Sequence, residues 1–266
     1  MQNNENLFEV KDLVVEYHTR SGVVNAVDQV SFDLKKGEIL GLVGESGCGK
    51  STLGKAMMRM IAKPGKISSG ELWINDVDLL KLSENEMRKR RGSEISMIFQ
   101  DPMTSLNPVL TVGEQLIETL LRHKSLNKKE ALKISAQLLG KVELPSPEEK
   151  LKQYPHQLSG GMRQRVMIAM ALACEPKILI ADEPTKALDV LIQAQILELL
   201  ENLKKETGMS MLLITHDLGV VTEIAERVMV MYSGEGVEIG AAKDLLDSPH
   251  HPYTKGLISS RPHLGS

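Results

Sequence analysis

Gly44-Glu45-Ser46-Gly47-Cys48-Gly49-Lys50-Ser51 fits G-x-x-x-x-G-K-[ST] at every fixed position, a spacing suited to holding phosphate. The glycines let successive backbone N–H groups curl around phosphate oxygens, and a following helix adds its positive dipole end. Lys50 is placed to reach β- and γ-phosphates and Ser51 to put its hydroxyl on Mg²⁺, with Thr52 beside them. Cys48 reads as a small loop filler rather than a reactive thiol. A second constellation is Ile178-Leu179-Ile180-Ala181-Asp182-Glu183, an apolar strand ending in two carboxylates. Strand alternation sends consecutive side chains to opposite faces. Asp182 is therefore assigned to the metal, and Glu183 to the attacking water as general base. Alone, such a strand end is weak evidence, because acidic residues are common at loop starts. Beside the phosphate loop it points to nucleoside triphosphate hydrolysis.

The stretch LSGGMRQR, Leu158 to Arg165, is a third candidate. Glycine costs a helix about 1 kcal/mol relative to alanine. Two glycines behind Ser159 at a helix start therefore imply close backbone approach to something, and phosphate is the usual candidate. With one phosphate loop already present, the second has no obvious phosphate of its own.

The elements that must carry these residues follow from hydrophobic pattern. Phe8–Tyr17 and Val30–Leu34 alternate partially, and ILGLV (Ile39–Val43) is a continuous run of the buried-strand type. A helix is expected over Ser51–Ile61, then a strand at Glu71–Ile74 and a turn at Asn75-Asp76. SENE (Ser83–Glu86) matches a capping box, and Ile95–Phe99 is a short strand. Asp101–Pro108 reads as loop. Helices follow at Val112–Leu121, Lys128–Leu139 and from Met162. Strands return at Ile178–Ala181, Met211–Thr215 and Val228–Tyr232, separated by helices near Ile192–Lys205 and Leu218–Ala225. Alternating strands and helices predict an α/β fold around a mostly parallel sheet, with an antiparallel β-subdomain at the N-terminus and an inserted helical lobe. The expected division is a core of residues 1–100 and 174–245, a helical subdomain of 101–173 and a tail of 246–266.

Composition narrows the class. The 266 residues are 42% hydrophobic and 25% charged, ordinary for a globular protein. A net charge of −3 gives no reason to expect nucleic-acid binding through bulk electrostatics. The basic run Arg88–Arg91 is diluted by Glu84, Glu86 and Glu94 and reads as a solvated helix face. The two cysteines, Cys48 and Cys174, offer no metal-binding spacing and fit a reducing compartment. MQNNENLFEV lacks a signal-peptide pattern, and no apolar run approaches the roughly 18–20 residues that span a bilayer. A cytoplasmic place, docked on a membrane partner, is expected.

With phosphate loop, Gln100, LSGG, ILIADE, EPTKALD and ITHD in this order, the chain resembles the ATP-binding subunits of ABC transporters. The resemblance implies a P-loop NTPase core that binds ATP with Mg²⁺. It implies that Tyr17 stacks on adenine, that Gln100 touches Mg²⁺ or the water, and that His216 hydrogen-bonds the γ-phosphate. It makes Asp189 the aspartate of the D-loop. It further implies a head-to-tail dimer in which Ser159, Gly160 and Gly161 close over the ATP held by the other subunit. FQDPMTSLNP (Phe99–Pro108), YPHQLSGGMRQRVMIAMAL (Tyr154–Leu172) and HPYTKGL (His251–Leu257) resemble the peptide/nickel importer branch. Within it, GMRQRVMIAMA is similar to the first of two unlike ATPase subunits. The branch implies two membrane permeases, a second ATP-binding subunit (a paralogue or the chain itself), an extracytoplasmic solute-binding protein, and import of di- or oligopeptides, nickel or metal chelates. Two departures stand out. Lys186 occupies a D-loop position where threonine or serine is usual, and the chain stops at Ser266 without the cysteine cluster that many members carry. A soluble ABC ATPase acting on DNA or ribosomes is a second class, but one cassette without a heptad run does not suit it. A nucleotide-binding subunit with degenerate turnover is a third, motivated by Lys186 alone.

Overall fold

The computed structural model describes residues 5–20 and 22–260. By their contacts these residues group into two units: the chain up to Met87 together with the chain from Ser210, and Arg88–Met209.

In the first unit, Asn6–Thr19 and Gly22–Lys35 pair antiparallel, Gly65–Ile74 lies along the other edge of the first strand, and Val77–Asp78 follows it. The incomplete alternation of the first strand has a structural cause. Asp12 adopts φ 45°, and both flanking ladders shift register there. The bulge resets the pleat, so Val10, Leu13 and Val15 all face the core despite their odd spacing. Ile39–Val43 is buried at all five positions and lies between two parallel neighbours, Ser210–Ile214 and Arg227–Tyr232. Glu235–Ala241 returns antiparallel beside the latter. The Arg227 guanidinium bonds Asp33 at 3.0 Å and Glu38 at 3.3 Å, tying the hairpin to the parallel strands.

In the second unit, Ile95–Ile98 and Ile178–Asp182 pair in parallel, and both are fully buried. Around them lie helices Val112–His123, Lys128–Lys141, Gly160–Leu172 and Val190–Thr207. Their starts are written in the sequence. Thr111 and Asn127 each form a reciprocal capping box, with Glu114 and Glu130, and Asp189 caps the last helix. Leu120, Ala131, Ala173 and Cys174 pack together among these helices.

Several boundaries differ from expectation. The two contact units divide near residues 88 and 209, so the two parallel strands group with the helices; both Lys177 and Ile178 donate to the Glu94 carbonyl. The 101–108 segment contains a short helix, Pro102–Ser105, capped by the Asp101 side chain. The second strand begins at Gly22, well before Val30, and its early residues are exposed. Of the expected tail, 261–266 lie outside the described residues. Among the described residues, no helix is long and apolar enough to cross a membrane.

Candidate functional site

Strand Ile39–Val43 delivers the chain into the phosphate loop at Gly44, and Lys50 opens helix Lys50–Met57. Two glycines are fixed by space as well as torsion. A Cβ on Gly44 (φ 153°) would lie 2.1 Å from the Met231 carbonyl oxygen, and one on Gly49 (φ 108°) 2.1 Å from that of Ala26. Gly49 stands at the helix N-cap with no side-chain acceptor for the first-turn N–H groups, the arrangement that receives an anion. Lys50, only 4% exposed, folds its ammonium back onto the loop, donating to the carbonyls of Gly44 (2.7 Å) and Glu45 (2.8 Å). A buried cation with two neutral acceptors is electrostatically poised for a negative ligand. Glu45, Ser46 and Gly47 are exposed, Ser51 and Thr52 half-buried on the first helical turn. Cys48 is buried, its Sγ 3.7 Å from Lys50 Nζ, and its carbonyl accepts from Gly234 N at 2.9 Å. The loop is thus fixed from the Arg227–Tyr232 side.

In the same unit, Tyr17 is half-buried, its ring beside Gly65 and Ile61; a Cβ on Gly65 would come 2.7 Å from Tyr17 Cε1. His216 is exposed just beyond strand Ser210–Ile214. Thr215 N is anchored on the Leu42 carbonyl at 3.1 Å, and Asp217 caps the next helix.

In the second unit, strand Ile178–Asp182 ends in Asp182 (2% exposed) and Glu183 (7%). Glu183 adopts φ 44°, so the chain leaves the strand at that residue. Its Oε2 accepts from Gln100 Nε2 at 2.7 Å and pairs with Lys186 Nζ at 3.3 Å. The structure therefore brings two of the singled-out residues, Gln100 and Lys186, onto the carboxylate of a third, and Lys186 meets an acid of its own chain. Ser159 is the N-cap of helix Gly160–Leu172, accepting from Met162 N at 3.3 Å, and Ser159 and Gly160 are exposed. Gly161 has an internal reason to be glycine: a Cβ there would lie 2.9 Å from Ile192 Cγ2. The helix thus begins two residues earlier than expected, and one of its glycines serves close helix packing. Asp189 Oδ1 accepts from Ile192 N at 3.0 Å, a capping duty.

Residues 27–186 match the family described as ABC transporter, and residues 237–266 match the Oligopeptide/dipeptide transporter, C-terminal region. The chain belongs to the ABC transporter family. It is 57% identical over 261 residues to Dipeptide transport ATP-binding protein DppD of Bacillus subtilis (strain 168), covering 98% of this chain and 78% of the relative. It is 51% identical over 263 residues to Oligopeptide transport ATP-binding protein OppD of Escherichia coli (strain K12), covering 99% and 78%. Among solved structures it resembles the ATP-binding cassette MJ0796, described as dimeric, in a post-hydrolysis state and bound to ADP and Pi. That match has a TM-score of 0.79 at 30% identity and covers 88% of this chain and 98% of that one. The chain is accordingly an ATP-binding ABC ATPase with the P-loop NTPase α/β fold.

One contact to the phosphate loop of this ABC ATPase escaped the sequence reading. Helix Pro252–Ser259 projects Tyr253 so that its phenol oxygen accepts from Glu45 N at 3.1 Å. Its ring meets that of Tyr232 at 4.4 Å between centroids. Burial pushes the Tyr253 phenol up from its ordinary value. The signal was present in HPYTKGL, but a contact spanning 208 residues of sequence cannot be read from local pattern.

Proposed function

We propose that this ABC ATPase is the ATP-hydrolysing subunit of an importer for di- or oligopeptides, working at the cytoplasmic face of the membrane through two permease subunits. It pairs with a second ATP-binding subunit, a paralogue or another copy, and serves an extracytoplasmic solute-binding protein indirectly. The observation that carries this is the presence of both matches on one chain, the ABC transporter region and the oligopeptide/dipeptide transporter C-terminal region. The names of its half-identical relatives support it.

In this reading Lys50 and the backbone of Gly44–Thr52 bind the phosphates, and Tyr17 stacks on adenine. Glu183 takes a proton from the attacking water while Gln100 holds its other side, and His216 bonds the γ-phosphate. Ser159, Gly160 and Gly161 act on the nucleotide of the opposite subunit. Mg²⁺ suits the donors available. Among the described residues no group of three or more His, Cys, Asp or Glu is placed to hold a metal. The Ser51 hydroxyl, the Asp182 carboxylate and the Gln100 amide are instead oxygen donors of the kind that complete a shell made mostly of phosphate and water oxygens. Bound Mg²⁺ would neutralise developing phosphate charge.

The test is co-purification from native membranes, followed by reconstitution with the recovered permeases and solute-binding protein. ATP-dependent uptake of labelled di- or oligopeptide, abolished by Lys50→Ala, is expected. Uptake of nickel or a metal chelate without peptide would replace the cargo. Stimulation by DNA or ribosomes, with no permease recovered, would overturn the reading.

A further inference from the structure

The Gly44–Glu45 peptide unit is held at both ends. Its carbonyl accepts from Lys50 Nζ at 2.7 Å, and its N–H donates to the Tyr253 phenol at 3.1 Å. Gly44 makes this peptide easy to turn, since its φ of 153° lies where only glycine is comfortable. Something must therefore fix the plane. Lys50 is a poor permanent anchor, because in the proposed reaction its ammonium turns to the phosphates. Tyr253 remains.

The HPY sequence is built to deliver that phenol. His251 N-caps the helix, its Nδ1 accepting from Tyr253 N at 3.2 Å, and Pro252 occupies the first helical turn, where its missing N–H costs nothing. Upstream, the Glu238 carboxylate accepts from His250 N at 2.8 Å and His251 N at 3.0 Å, pinning the turn to strand Glu235–Ala241. On the far side Tyr232 supplies a ring face, while Gly234, two residues on, donates to the Cys48 carbonyl. One short segment thus grips the loop at Glu45 and its neighbouring turn grips it at Cys48.

We propose that Tyr253 is a positioning residue of the ATPase. Its phenol locks the Gly44–Glu45 peptide and so keeps the phosphate loop in its receiving conformation when Lys50 engages nucleotide. The proposal rests on the reading of Gly44–Ser51 as the phosphate loop. It goes beyond that reading by giving the C-terminal segment a part in nucleotide binding, exerted through the backbone of the loop.

Tyr253→Phe tests it in the full chain, because the substitution keeps the ring against Tyr232 and removes only the oxygen. Backbone hydrogen exchange in the peptide spanning 44–51 should accelerate, with the rest of the chain unchanged. The ATP dissociation constant and KM should rise roughly threefold to tenfold, the span that one hydrogen bond commands, while kcat stays within about twofold. Exchange and affinity equal to the unsubstituted chain would overturn the proposal, as would a fall in kcat with KM unchanged. Lys50→Ala separates the two ideas. If Lys50→Ala binds ATP normally, the phosphate-loop reading fails. If it loses ATP while Tyr253→Phe behaves like the parent, only the positioning role fails.

Discussion

Glu183 combines three properties that seldom meet by accident: it is buried, it has a left-handed backbone, and it holds two donors on one carboxylate oxygen. A non-glycine residue at φ 44° carries strain of about 1–3 kcal/mol, which persists only where surroundings insist on it. Strand alternation alone implied that Asp182 and Glu183 point apart; in the structure the strand ends at Asp182 and the chain turns away at Glu183. Glu183→Gln keeps the shape and the Gln100 partnership but cannot accept a proton. Turnover should fall by roughly 10²–10⁴ with ATP affinity retained, measured by phosphate release and nucleotide binding; near-parent turnover would contradict the base assignment. Lys186 tests a subtler balance. Its ammonium, half-exposed, draws on the same oxygen, so Lys186→Thr should change stability by no more than about 1 kcal/mol. A cation on a base opposes proton uptake, so the variant should raise kcat about twofold to fivefold. An unchanged kcat would make the pair a bystander, and a lower one would show that Lys186 supports turnover rather than restraining it.

The segment joining Glu235–Ala241 to Pro252–Ser259 is held by Glu238, and that grip has a pH signature. Burial alone would raise this carboxyl, but hydrogen bonds, including those from the His250 and His251 N–H groups, outweigh it and hold it below the ordinary carboxylate range. A depressed folded value means the stabilisation is complete above the unfolded value, about 4.3, and is lost as pH falls through the folded one. The parent should therefore melt higher than Glu238→Gln at pH 7, and the gap should close on acidification below about pH 4. A gap independent of pH would point to packing instead. These contacts were invisible in the sequence, whereas much around them was not. Helices Val112–His123 and Lys128–Lys141 were legible from their hydrophobic pattern, and the structure adds their caps, Thr111/Glu114 and Asn127/Glu130, each a bond between residues three apart. ILGLV was legible because a strand buried on both faces must be apolar throughout. Gly22–Asp28 was not, because its side chains are mostly exposed and its pairing is set by the neighbouring strand. The phosphate loop and the DE pair were legible as chemistry; Glu183's engagement by Gln100, 83 residues away, needed the fold.

Ser159 and Gly160 stand exposed at the start of a thirteen-residue helix, and Ser159 is already occupied in capping it. If their phosphate belongs to another subunit, a single chain is not the unit of turnover. Complementation between two inactive variants tests this directly. Lys50→Ala removes the phosphate-binding lysine, and Ser159→Arg places a bulky cation at the signature; each should hydrolyse little ATP alone. In a mixed dimer, one nucleotide is held by the intact phosphate loop of the Ser159→Arg chain and closed by the intact signature of the Lys50→Ala chain. Mixing should therefore restore turnover, rising with total protein concentration as dimers form. Ser159→Arg alone should still bind ATP with parental affinity, since its own phosphate loop is untouched. No recovery on mixing, with the parent chain active as a dimer, would show that the signature serves its own nucleotide. No dimer of the parent under ATP, but one with a co-purified paralogue, would move the same experiment to that pair, with Lys50→Ala and Ser159→Arg placed in this chain one at a time.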